Sequence, residues 1–156
     1  LVTRSQRGMF CTLCYLLIDL AKGRVLCANA GHHPAIHIHA KGATCFAEAS
    51  GPPAGILPTA TWTDSELRIV KGDTLLMYTD GVVEARHGVT QHGSTLPLGP
   101  EEYGIEGLYR ITQQASGLTP RALIAAVNDD VSEYCTPESP HDDVTMIAVR
   151  YLGRAK

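Results

Sequence analysis

Apolar residues first come in short runs broken by Gly, Pro, Asn and Asp, and only later at helical spacing. Met9–Ile18 reads as a strand, Asp19–Gly23 as a turn and Arg24–Ala28 as the returning strand of a hairpin. Asn29–Pro34 is a loop. Ala35–His39 alternates apolar residues with His, the pattern of a half-buried strand, and Lys41-Gly42 turns the chain into Ala43–Glu48. Gly51–Pro58 holds too much Gly and Pro for regular structure. Ser65–Val70 and Asp73–Thr79 follow as strands around the tight turn Lys71-Gly72-Asp73, and Gly88–Pro100 reads as a polar loop.

Helical spacing begins with Glu106–Ser116, where Leu108, Ile111 and Ala115 share a face and Gly117 stops the helix. Thr119-Pro120 supplies an N-cap and a first-turn proline for a second helix. Its apolar stripe, Leu123, Val127, Val131 and Tyr134, runs to about Cys135. A Pro-rich loop, Thr136–His141, leads into a closing strand, Val144–Tyr151. Strands, then helices, then a last strand predict an α+β fold with mostly antiparallel sheet and no internal repeat.

The length of 156 residues suits one domain or a large piece of one. At 44% hydrophobic residues the chain can build a core of ordinary size. A formal charge of −3, from 13 Lys+Arg against 16 Asp+Glu, argues against nucleic-acid binding through phosphate contacts. The longest apolar run, Ala122–Val127, is too short to span a bilayer, and no signal-peptide pattern opens the chain. The expectation is a soluble cytoplasmic protein.

Two groups of metal-ligating residues need weighing. Cys11 and Cys14 form a C-x-x-C inside the strand-like run Met9–Ile18, where residues three apart point to opposite faces and cannot clamp one ion. Both are expected to be buried in packing. His37 and His39 share one face of a short strand, with His32-His33 just before it, so a zinc site is imaginable. The plainer expectation puts His37 and His39 on the wet face of an edge strand.

Carboxylates at strand ends carry more weight. Asp80 follows Thr74–Thr79 and precedes Gly81, at the C-terminal end of a buried strand. Asp142-Asp143 precedes Val144–Val149, at the start of another. If these strands are antiparallel neighbours, Asp80 and Asp142 meet at one rim of the sheet. Crowded carboxylates resist ionisation unless a cation lies between them, and all-oxygen sites suit Mg²⁺ or Mn²⁺.

The order of segments is specific. Met9-Phe10-Cys11-Thr12, Asn29-Ala30-Gly31-His32, Gly51-Pro52-Pro53-Ala54-Gly55, Tyr78–Ala85 and Asp142-Asp143-Val144-Thr145 together resemble the metal-dependent protein phosphatase (PPM) family. The resemblance is to its bacterial stage II sporulation protein E branch, which includes the sigma-factor-regulating serine phosphatases. It implies an antiparallel β-sandwich flanked by helices, and hydrolysis of phosphoserine or phosphothreonine by a water activated between two Mn²⁺ or Mg²⁺ ions. It makes Asp80 and Asp142 metal ligands. Gly81, Asp143, His141, Asn29 and His32 become residues that support the site or bind more weakly. The implied partner is a phosphorylated protein substrate, an anti-sigma-factor antagonist in this branch.

Family members also carry an Asp-x-x-Gly-His-Gly motif upstream of the equivalent of Met9, and this sequence has none. Residues 1–156 are therefore expected to be the C-terminal portion of a single phosphatase domain, a poor phosphatase alone. Its uncovered apolar faces would favour a homodimer. The alternative is a non-catalytic phosphatase-like module that binds a regulatory partner.

Overall fold

A computed structural model describes residues 9–86, 102–135 and 142–154. In chain order its elements are β1 (Leu13–Asp19), β2 (Arg24–Ala30), β3 (Ala35–His39), β4 (Gly42–Phe46), β5 (Asp64–Arg68), β6 (Thr74–Tyr78), α1 (Asp80–Val83), α2 (Gly104–Gln113), α3 (Pro120–Cys135) and β7 (Met146–Arg150). The expected loops Gly88–Pro100 and Thr136–His141 lie outside the described residues.

The strands form two sheets, ordered β1-β2-β5 and β4-β3-β6-β7, and every strand pairing is antiparallel. Period-two alternation gives the larger sheet two apolar faces. Ile36, Ile38, Leu76 and Tyr78 pack with Leu108 of α2 and Leu123, Val127 and Val131 of α3. Ala35, Phe46 and Leu75 face the other way and meet Val25, Cys27 and Ile69 from the smaller sheet's side. Three layers result: small sheet, large sheet, helices.

Each helix follows from local chemistry. Thr119 Oγ1 accepts the Ala122 N–H at 3.2 Å, the expected cap of α3. Leu123, Val127, Val131 and Cys135 then recur every fourth residue and are buried, each apolar side chain worth about 1.5–3 kcal/mol. α2 begins two residues before the predicted Glu106 and ends at Gln113, three short of the predicted Ser116, so Gly117, at φ +89°, lies in the turn beyond the helix rather than at its stop. α1 is a single turn with no counterpart in the sequence reading. It drives Val82 and Val83 into the core.

Three expectations need correction. β1 starts at Leu13 rather than Met9; Cys11 lies before it and exchanges backbone hydrogen bonds with Ala54, at 2.9 and 2.8 Å, in an isolated bridge. Cys11 is therefore exposed, not buried, because strand alternation does not reach it. Cys14 is half-buried on the inner side of β1, with Sγ 3.6 Å from Cys27 Sγ. Third, His37 is not on the wet face of an edge strand. β3 runs between β4 and β6, covered on both faces, so His37 is buried and its Nε2 lies 2.9 Å from Asp73 Oδ2. His39, on the same face, is only half-buried, its ring centroid 5.1 Å from that of His37.

One face is left uncovered among the described residues. Leu13, Tyr15 and Leu17 alternate outward along β1 and are each more than half exposed, at 51%, 59% and 54%.

Candidate active site

β6 and β7 are antiparallel neighbours, with Tyr78 opposite Met146 at the end of the ladder. The pairing continues one step beyond the strands, where the Thr79 N–H donates to Thr145 O at 3.0 Å. The Thr79 hydroxyl then latches the two strand ends: it donates to Asp143 O and accepts the Thr145 N–H, both at 2.9 Å. Asp80 opens α1 directly above this latch, and Asp142 lies just before the residues it holds. The end of one buried strand therefore lies beside the approach to the other.

Gly81 makes the approach tight. A Cβ at this position would lie 2.6 Å from Asp143 O and 3.2 Å from Asp142 O, so only glycine fits. Each carboxylate has one oxygen tethered by the next residue's N–H, Asp80 Oδ1 by Gly81 at 3.1 Å and Asp142 Oδ1 by Asp143 at 2.7 Å. Gly81 and Asp142 line a small cleft of about 170 Å³ together with Glu84, Ala85 and Arg86. Arg86, also paired with Glu102 at 3.4 Å, is a cation beside the carboxylates that sequence reading did not single out. It lies three residues past α1, in Val83-Glu84-Ala85-Arg86.

The Asn29–His32 loop reaches the same rim. Buried Asn29 clamps it: Oδ1 accepts the His32 N–H at 2.9 Å, while Nδ2 donates to His32 O at 3.0 Å and Ala47 O at 2.8 Å. Burial pulls the His32 imidazole below its ordinary pKa, and the adjacent His33 adds to this. The Asp80 carboxylate and a hydrogen bond to the Tyr78 backbone oppose it. Its Nδ1 lies 3.2 Å from Thr12 Oγ1. Asn29 thus shapes the loop that carries His32. The two His pairs have separate anchors, His37 on Asp73 and His32 on the Asn29 loop. His141 lies outside the described residues.

The donors at the rim are hard oxygens, the class that Mg²⁺ and Mn²⁺ prefer, and glycine at position 81 lets the Asp142 and Asp143 carbonyls come close to the start of α1. In this respect Asp80 and Asp142 fit such an ion. Among the described residues, however, no three His, Cys, Asp or Glu side chains gather as a complete ligand group.

Residues 1–152 match the family described as Stage II sporulation protein E (SpoIIE). The chain belongs to the SpoIIE family. It is 30% identical over 145 residues to protein IcfG of Synechocystis sp., covering 93% of this chain and 21% of that protein. It is 37% identical over 75 residues to phosphoserine phosphatase RsbP of Bacillus subtilis, covering 48% of this chain and 19% of RsbP. The chain thus spans about a fifth of the length of these relatives. The fold is that of the SpoIIE phosphatase domain from Bacillus subtilis, solved after a manganese presoak: TM-score 0.70 at 16% identity, over 99% of this chain and 63% of that one. Two antiparallel sheets with helices on one side are thus the SpoIIE-type sandwich expected from the sequence motifs.

Proposed function

We propose that this SpoIIE-family chain carries the catalytic rim of a metal-dependent protein phosphatase acting on phosphoserine or phosphothreonine. Membership of the family over residues 1–152 carries the reading, and the junction of the β6 and β7 ends supports it. Asp80 and Asp142 would hold the metal, Mn²⁺ or Mg²⁺, two ions in a complete site. Bound there, the metal supplies an activated water at neutral pH and neutralises charge on the phosphoryl oxygens.

The chain's own residues have distinct tasks. Asp80 and Asp142 concentrate negative charge at one rim, which draws cations and keeps the unloaded site from holding a phosphate. Gly81 keeps space beside the Asp142 and Asp143 carbonyls, and the Thr79 latch fixes the separation of the two strand ends. Arg86 stands in the Asp142 cleft as a donor that can receive a phosphoryl oxygen. The substrate is a phosphorylated protein, as the similarity to phosphoserine phosphatase RsbP supports, and an anti-sigma-factor antagonist by the resemblance of the sequence motifs to the sigma-factor-regulating branch.

A second reading is a non-catalytic phosphatase-like module that binds its regulatory partner without turnover. It is favoured by one observation, the lack of a three-ligand group among the described residues. Hydrolysis of a phosphoserine peptide by the full-length protein, with and without Mn²⁺, separates the two. Metal-dependent turnover that disappears in Asp80→Asn and Asp142→Asn supports the enzyme; tight partner binding with no turnover supports the module.

A further inference from the structure

A second cleft, of about 580 Å³, opens at the other end of the sandwich. It lies beside Asp73, just before β6, whereas Asp80 lies just beyond that strand, roughly 20 Å away at about 3.3 Å per residue. Its walls come from the β3–β4 turn, the β5–β6 turn, the α2–α3 connection and the end of β7. Its size falls within the range of about 300–1,000 Å³ typical of small-molecule sites.

The charges on its walls are lopsided. Lys41, Arg68, Lys71 and Arg150 line it, and Asp73 is the only carboxylate among its described lining residues. That carboxylate is buried and already committed: its Oδ2 accepts the Val70 N–H at 3.0 Å and bonds His37 Nε2 at 2.9 Å. In a chain of net charge −3 such an excess of cations is local, not compositional.

The cations are also placed in advance. Arg150 donates to three backbone carbonyls, from Nε to Gly72 O at 3.2 Å and from Nη1 to Gly117 O at 3.2 Å and Leu118 O at 2.8 Å. These bonds hold the guanidinium without cancelling its charge. The aliphatic stem of Lys71 runs beside Gly153. His39 Nδ1 accepts the Lys41 N–H at 3.2 Å, so Nε2 carries the ring proton as a donor.

A separate strain points the same way. Arg68 stands directly opposite Arg24 across the β2–β5 ladder, a like-charge pairing that destabilises a sheet. Glu66 offsets it only in part, 3.7 Å from Arg24 Nη1, and Arg24 Nε is buried without a hydrogen-bond partner among the described residues.

We propose that this cleft binds a small oligophosphate, with Lys41, Arg68, Lys71 and Arg150 as its charge-bearing residues. Several cations spread over separate turns match an anion of more than one charge, and arginine forks suit phosphate oxygens. A cleft of this volume suits a small ligand. The site is independent of the carboxylate rim, and so of the phosphatase reading.

Isothermal titration of sodium pyrophosphate into the metal-free chain at low salt tests this, because without metal the Asp80 and Asp142 carboxylates repel the probe. We expect saturable one-site binding that weakens by at least about tenfold in the Lys41→Glu, Lys71→Glu double variant and falls steeply with added salt. Asp80→Asn should leave it unchanged. Should the double variant not fold, Lys41→Gln and Lys71→Gln singly, both at exposed positions, decide the matter through a measurable loss of affinity. Absence of saturable binding at millimolar pyrophosphate overturns the proposal. So does equal affinity in the folded variants, or tighter binding of a polyglutamate peptide, which would reassign the cleft to an acidic protein segment.

Discussion

Gly81 and Asp143 are in backbone contact across the β6–β7 junction: a single added carbon on Gly81 would stand 2.6 Å from the Asp143 carbonyl oxygen. Neither partner can yield easily. Asp143 O is held by the Thr79 hydroxyl at 2.9 Å, and Gly81 is followed at once by buried Val82 and Val83. Gly81→Ala should therefore push the Asp142-Asp143 segment away from Asp80. The expected result is a loss of about 1–3 kcal/mol in urea unfolding, as for other overpacked sites, together with weaker Mn²⁺ binding by calorimetry.

Asp80→Asn and Asp142→Asn should behave differently from Gly81→Ala. Each removes one negative charge from a crowded rim without adding volume, so the metal-free fold should melt at the same temperature or slightly higher. Mn²⁺-dependent hydrolysis of p-nitrophenyl phosphate by the full-length protein should fall by about a hundredfold or more, since a ligand charge is lost from the transition state. Substantial turnover by Asp142→Asn at saturating Mn²⁺ would remove that residue from the site.

Removing the buried partner of His37 should be costly. Asp73→Ala leaves the imidazole and the Val70 N–H without their acceptor in a buried setting, for a loss of about 2–4 kcal/mol. Chemical denaturation monitored by circular dichroism reads this directly. A change below about 0.5 kcal/mol would mean that water replaces the carboxylate.

The thiols should separate by position. Burial pushes the Cys27 thiol from its ordinary 9.0 up to about 12, with the nearby Cys14 and Asp64 adding to the effect, whereas Cys11 is exposed. At pH 8, Ellman's reagent should modify Cys11 quickly and Cys27 only on unfolding. Burial also raises the Tyr109 phenol to about 12. Both groups are neutral in the fold, so their contribution is intact below the ordinary values and is lost as pH climbs through about 9 to 12. The urea midpoint should fall across that window; a flat profile would contradict it.

The open face of β1 should drive self-association. Tyr15→Lys with Leu17→Lys, both on the exposed outer row, should lower the sedimentation-derived mass toward that of a monomer while leaving the melting temperature nearly unchanged. An unaltered mass distribution would assign any dimer to another surface.

Much of this architecture was legible from residue order. The hairpin β1–β2 followed from Asp19–Gly23, and α3 from Thr119-Pro120 and its fourfold-spaced apolar row, because those signals are local. The junction of Asp80 and Asp142 followed from two buried runs with acids at opposite ends, once they were taken as antiparallel neighbours. What stayed hidden was non-local or too short to have a period. His37 finds Asp73 thirty-six positions away, and nothing in Ala35–His39 distinguishes a doubly covered strand from a half-buried one. The four residues of α1 cannot display helical spacing, and Arg86 gains meaning only once that turn brings it beside Asp142.

β6 has a further consequence for how such chains can diverge. Its five residues join the basic cleft at Asp73 to the carboxylate rim at Asp80, with Leu75 facing one layer and Leu76 the other. Insertion of a single residue would exchange those faces and shift Thr79 and Asp80 together out of register with Asp143 and Thr145. The connecting loops can lengthen or shorten through evolution with little penalty, whereas this strand is a ruler whose count must match the layers on both of its faces.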